Sequence, residues 1–137
     1  MPEPIFHIAI AVDDLKKARE FYMGTLGCTE RADTVGRGQA VINFFGAQLV
    51  AIEAPDQVEK SNDQEGYEPY KHFGIIMDWD DWHALVDRLK AKGVAFRTEP
   101  KIRDHKSIGE VGNLFLADPS GNYVEFKSYR NRARVLS

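Results

Sequence analysis

Residues 5–12 (Ile-Phe-His-Ile-Ala-Ile-Ala-Val) alternate in character with the two-residue period of a strand. The alternation puts Phe6, Ile8 and Ile10 on a packing face and His7, Ala9 and Ala11 on the other. One face packs, and the other opens a space with a histidine in it. Asp13 or Asp14 then caps a helix whose apolar positions (Leu15, Ala18, Phe21, Tyr22, Leu26) recur at helical spacing until Gly27 stops it. Three short strands are predicted over about 28–34, 39–45 and 47–53, with turns marked by Gly36, Gly38 and Gly46.

The pattern then restarts. Residues 71–77 put Phe73, Ile75 and Met77 on a packed face and His72, Gly74 and Ile76 on the open one. Asp80 or Asp81 precedes a second amphipathic helix carrying Trp82, Leu85, Val86 and Leu89, which ends at Gly93. Strands are predicted at 94–98, 112–117 and 122–127. His7 precedes Gly27 by 20 residues and His72 precedes Gly93 by 21, so the order and spacing repeat with a period of about 65 residues. The reading is one α+β domain over 1–137, built from two βαβββ modules at about 5–53 and 71–127. A polar linker, 54–70, joins them, and a second long loop, 99–111, contains Arg103 and His105.

Composition narrows the partners. With 43% hydrophobic and 28% charged residues, the chain reads as an ordinary soluble domain. A net charge of −3 gives no reason to expect nucleic acid or an anionic membrane as partner, and Arg130, Arg132 and Arg134 read as a solvated terminus. Cys28 is the only cysteine, so no internal disulfide is possible. No signal peptide and no apolar run of the roughly 20 residues needed to span a bilayer is visible, so a cytoplasmic address is expected.

Three residues of metal-ligand type fall at related places. His7 and His72 lie in the first strand of each module, and Glu125 lies in the last strand, in Tyr-Val-Glu-Phe-Lys. Val124 and Phe126 need the packed face there, so Tyr123, Glu125 and Lys127 point the other way. A carboxylate between two hydrophobic residues is costly unless paired or bound to a cation. Two imidazoles and one carboxylate leave half of an octahedron open, the arrangement suited to Fe(II) or Mn(II) enzymes whose substrate and O₂ reach the metal. A structural reading stands beside this one: a strand histidine can be a satisfied packing residue, and Glu125 can pair with Lys127. His83, beside Trp82 in the second helix, reads as a surface or packing residue. His105 is an acid–base candidate. Tyr123 and Lys127 are placed to position an anionic substrate oxygen, and Gln48 and Asn43 to line the first-module cavity.

The chain resembles the vicinal oxygen chelate superfamily of glyoxalases, fosfomycin- and bleomycin-resistance proteins and extradiol dioxygenases. The resemblance is carried by Phe6-His7-Ile8-Ala9-Ile10, the run Asp14 to Tyr22 ending in Leu26-Gly27, His72-Phe73-Gly74, and Asp118-Pro119-Ser120-Gly121-Asn122-Tyr123-Val124-Glu125-Phe126. Phe45 to Val50, Trp79 to Leu85 and Glu125-Phe126-Lys127 look most like a group of extradiol-dioxygenase-like proteins. The resemblance implies an incomplete eight-stranded barrel around one divalent metal, with His7, His72 and Glu125 as ligands, and often a homodimer whose site is shared between chains. It also marks departures. The fourth ligand of glyoxalases falls on Val50 or Ala51, and Glu53 would substitute only with a shifted register. The helper positions of extradiol enzymes fall on Gln57 and Phe115, which are not the His and Tyr found there.

Three functions follow as expectations. The first is an Fe(II)- or Mn(II)-dependent dioxygenase acting with O₂ on a catechol-like small molecule, with His105, Tyr123 or Lys127 handling protons and charge, and Gln48, Asn43, Arg103 and Phe115 touching substrate. The second is a redox-neutral lyase, isomerase or thiol transferase using Ni(II), Zn(II) or Mn(II). The third is a non-catalytic binding protein.

Overall fold

The computed structural model describes residues 2–59 and 68–137, so residues 60–67 of the predicted linker lie outside the described residues. The chain forms two compact units, Met1–Lys60 with Asp118–Asn122, and Ser61–Ala117 with Tyr123–Ser137. Among the described residues eight strands form two four-stranded sheets with few helices, seven of them near their predicted positions.

In the first unit, β1 (His7–Val12), β2 (Thr29–Glu30), β3 (Gln39–Phe44) and β4 (Ala47–Glu53) form a sheet in the order β1-β4-β3-β2. Only the β1–β4 pair is parallel, because the helical crossover returns the chain in the same direction. Helix α1 (Leu15–Arg19) is capped by Asp14, whose carboxylate accepts from the Lys17 amide. It continues as a π-helical turn, Glu20–Thr25. Leu15, Ala18, Tyr22 and Leu26 are buried with Val12, Ala40, Ile42, Phe44, Leu49 and Ala51. The predicted strand 28–34 is shorter, because the chain turns into a 3-10 segment, Ala32–Thr34. There the Arg19 guanidinium and the Thr34 hydroxyl both converge on Glu30. Phe6, expected on the packed face, precedes β1 and is 69% exposed.

The turn 118–122 completes this unit. Tyr22 donates its hydroxyl to Asp118 at 2.8 Å, and the Asn122 amide donates to the Ala11 carbonyl. Ser120 Oγ accepts from the Asp13 amide and donates to the Asp13 carboxylate. The Asp-Pro-Ser-Gly-Asn motif is therefore a clasp on α1 and β1.

The second unit repeats the topology with β5 (Phe73–Ile76), α2 (Trp79–Ala91), β6 (Thr98–Arg103), β7 (Val111–Ala117) and β8 (Tyr123–Tyr129), in the order β5-β8-β7-β6. Helix α2 begins after Asp78, not at the expected Asp80 or Asp81. Those two lie inside its first turn, where they complement the helix dipole. Trp82 anchors α2, donating its indole N–H to the Phe126 carbonyl at 2.9 Å. The same ring lies on Gly112, where any Cβ would meet it at 3.0 Å. The sixth strand is a correction to the sequence reading, which placed it at 94–98 and a loop at 99–111. The strand occupies Thr98–Arg103, and Pro100 is accommodated by a register shift between Thr98 and Lys101 on the sheet edge. No helix among the described residues is long and apolar enough to cross a membrane.

Candidate functional site

The face of each sheet away from its helix carries the predicted chemistry, and two histidines are prepared there in the same way. His72 Nδ1 lies 2.7 Å from the Pro69 carbonyl, which can only accept, so Nδ1–H donates to it and, in the neutral ring, Nε2 is the nitrogen with the lone pair. In the first unit His7 Nδ1 lies 2.8 Å from Oε1 of Gln48, its register partner on β4. Again the acceptor faces Nδ1, and in the neutral ring Nε2 is the nitrogen left with a lone pair. This is how a protein orients an imidazole toward a metal.

The second unit holds the more developed half. Glu125 is buried, and its Oε1 lies 3.4 Å from His72 Nε2. Its Oε2 accepts from the Asn113 amide at 3.3 Å. The His72 ring meets the edge of Phe115 with centroids 5.0 Å apart. With metal–ligand bonds of about 2.1 Å, adjacent donors lie about 3.0 Å apart in an octahedron and about 3.4 Å apart in a tetrahedron. The Nε2–Oε1 separation fits two ligands of one ion, and a neutral imidazole with a carboxylate is a suitable donor set. Among the described residues, no three His, Cys, Asp or Glu side chains gather around one point.

Register explains why Glu125 has no counterpart in the first sheet. Gly74, two residues after His72, pairs with Glu125, and Ala9, two residues after His7, pairs with Val50. The position equivalent to Glu125 is Val50, which resolves the choice between Val50 and Ala51. Glu53 is engaged elsewhere, accepting from the Leu15 amide at the start of α1. Gly74 is itself required: a Cβ there would lie 1.8 Å from the Glu125 carbonyl oxygen. The glycine lets β5 approach the strand that carries Glu125.

The remaining predicted residues divide. Phe115 is brought to the site, as the packing partner of His72. Tyr123 and Lys127 flank Glu125 on β8; Tyr123 lies beneath the Arg97 guanidinium at 5.7 Å, and Lys127 Nζ sits 5.4 Å from the Tyr129 ring centroid. The pairing with Glu125 considered for Lys127 is not formed. Arg103 ends β6 opposite Val111, four residues along β7 from Phe115, so it is not gathered to His72 and Glu125. His105 is exposed in the turn that follows β6. Asn43 turns its amide oxygen to the Gly46 N–H and so shapes the β3–β4 turn. With Gln48, Ile5, Thr29, Arg31 and Val41 it lines a depression of about 350 Å³ in the first unit. His83 is a packing residue, its Nδ1 bonded to the Trp79 carbonyl and its ring against Trp79 and Trp82.

Two residues escaped the sequence reading. Asn113 is fully buried and its amide also donates to Glu68 at 3.2 Å, so one side chain bridges two carboxylates. A polar residue within Val-Gly-Asn-Leu-Phe-Leu-Ala is a signal that could have found it. Glu68 carried no such signal.

Comparison with known proteins places these features in context. The model of the Glyoxalase/Bleomycin resistance protein/Dioxygenase superfamily matches residues 5–126. A glyoxalase/bleomycin resistance protein/dioxygenase from Alicyclobacillus acidocaldarius is 31% identical, with 98% of each chain covered and a TM-score of 0.79. The fosfomycin resistance protein FosX of Listeria monocytogenes shares the fold at 17% identity and a TM-score of 0.70, covering 98% of this chain and 100% of that one. Lactoylglutathione lyase from Agrobacterium tumefaciens shares it at 19% identity and 0.64, covering 93% and 94%.

Proposed function

Because this chain belongs to the Glyoxalase/Bleomycin resistance protein/Dioxygenase superfamily, we propose that it is a metal-dependent enzyme of the extradiol-dioxygenase type. Its substrate would be a catechol-like small molecule, and its cofactor one divalent ion, Fe(II) or Mn(II). His72 and Glu125 hold the ion, with His7 as third ligand from the same chain or from a second copy in a homodimer. The observation that carries this reading is the His72–Glu125 pair: a lone-pair nitrogen fixed by the Pro69 carbonyl, 3.4 Å from a buried carboxylate oxygen.

When bound, the metal supplies Lewis acidity toward a substrate hydroxyl and redox access to O₂. Asn113 holds Glu125 Oε2, which keeps Oε1 for the ion. Phe115 packs nearly perpendicular to the imidazole and supports it. Proton handling falls to Tyr123, on the same face as Glu125, rather than to the exposed His105. The apolar Val50 favours three protein ligands over the four of a glyoxalase-like set, leaving the other positions to substrate and O₂.

The test is metal analysis of protein purified without added metal, beside a His7→Ala variant, followed by anaerobic Fe(II) loading and O₂ uptake over a catechol panel. Bound iron or manganese, lost in the variant, with O₂ consumed as a coloured ring-cleavage product forms, is the expected result. Thiol-dependent turnover without O₂ uptake would replace it with a redox-neutral transferase or lyase. Absence of metal from both samples would leave a binding protein.

A further inference from the structure

We propose that the substrate carries an anionic head group, a carboxylate or phosphonate, held by Lys127 and Lys101 beside the Glu125 end of the second sheet. The inference rests on the reading above and extends it to substrate class. Lys101, Asn113 and Lys127 are register partners across β6, β7 and β8, and so form one row on the face away from α2. The neighbouring row on the same face contains Phe115 and Glu125. At about 3.3 Å per residue and about 4.8 Å between strands, Lys127 lies roughly 7 Å from Glu125 at the backbone, and the lysines lie roughly 10 Å apart. Two flexible ammonium arms can close that gap on a single anion.

Three observations separate this row from ordinary surface charge. Among the described residues neither lysine forms an ion pair, in a chain whose net charge is −3. Protection of a sheet edge accounts for Lys101 on β6, but Lys127 is half-buried on the interior strand β8. Between them lies Asn113, fully buried, with both amide bonds committed to Glu68 and Glu125 and its Oδ1 without a partner. A buried acceptor left without a donor calls for a hydroxyl or ammonium proton. The row therefore places an unsatisfied buried acceptor beside Glu125 and two cations beyond it. A compound whose hydroxyl end lies at Glu125 and whose other end is an acid meets both cations.

The experiment uses metal-free, ¹⁵N-labelled protein titrated by NMR with benzoate, phenylphosphonate and benzyl alcohol. The anions are expected to shift amides of β6–β8 and to bind about tenfold tighter than the neutral alcohol, the difference one charge-assisted hydrogen bond makes. Lys101→Met and Lys127→Met should each lose that preference. Lys127→Arg should retain it, and Lys90→Met on α2 should bind as wild type. If Lys127→Met does not fold, Lys127→Gln takes its place. Tighter benzoate assigns a carboxylic acid, and tighter phenylphosphonate a phosphonic one. Equal binding of anion and alcohol, unchanged binding in the Met variants, or shifts confined to the Arg130–Arg134 tail would each overturn the proposal. Protein that never takes up metal still reports on the lysines, so failure here and failure of the dioxygenase reading remain distinguishable.

Discussion

In both sheets a histidine stands at the start of the first strand, His7 opening β1 and His72 immediately before β5, with its Nδ1 tied to an oxygen, but the residue two steps along and its partner differ between the halves. The first sheet has Ala9 opposite Val50, and the second has Gly74 opposite Glu125. Around Glu125 the second half has buried the support of its carboxylate, with Asn113 and Phe115 fully enclosed, although His72 and Gly74 are as exposed as His7 and Ala9. The duplicated scaffold supplies two similarly tied imidazoles, and one half alone has added a buried carboxylate and its support. A register, once duplicated, can be occupied by a ligand in one copy and by packing in the other.

The most severe way to break this comparison is to exchange the two registers' chemistry. Glu125→Gln removes the proposed anionic ligand and should reduce metal affinity by more than the roughly 10–100-fold contributed by supporting hydrogen bonds. Val50→Ala should leave metal content unchanged, and equal losses in the two variants, measured after dialysis, would refute the asymmetry. Next is the backbone. Gly74→Ala drives a methyl into the Glu125 carbonyl and should destabilise by about 3 kcal/mol or more in urea denaturation. The reciprocal Ala9→Gly should cost only about 0.5–1 kcal/mol.

A smaller effect sharpens the likeness of the histidines. Gln48→Leu removes the acceptor from His7 Nδ1 and should weaken metal binding about tenfold without altering the fold. A wild-type affinity would separate His7 from the ligand set. The smallest effect tests the clasp of the first unit. Burial first, and then the neighbouring Asp118 carboxylate, hold the Tyr22 phenol well above its usual pKa. An unfolded tyrosine loses its proton near about pH 10, whereas folded Tyr22 keeps it, so stability is full below that pH and declines as pH rises beyond it. Tyr22→Phe should cost about 1 kcal/mol at neutral pH and remove this alkaline decline.

Periodicity was enough to orient the strands that matter. The alternation around Glu125 sets Val124 and Phe126 inward and the carboxylate on the other face, and the repeat of His7 at His72 locates both modules. Pairing between distant strands is not written in local pattern, so the choice between Val50 and Ala51 needed the observed register. Pro100 disguised β6, because a proline signals a loop unless an edge strand and a bulge accommodate it. Asn43 and Gln48 are both polar residues of the first sheet, yet one serves a turn and the other a histidine, a difference set by hydrogen bonds between residues distant in sequence. Asn113 was visible as a polar residue in an apolar strand, but its two carboxylate partners come from elsewhere in the chain.

The clasp formed by residues 118–122 bears on whether the repeat can be divided. The partner of the Tyr22 hydroxyl, the donor to the Ala11 carbonyl and the acceptor for the Asp13 amide all come from sequence that lies beyond the second helix. A polypeptide ending in the 54–70 segment would contain every strand of the first sheet and still lack these groups. Its expected fate is a loosened α1, restored when the complementary fragment is supplied. Although the sequence reads as one unit written twice, the first copy is completed by a piece of chain encoded in the second.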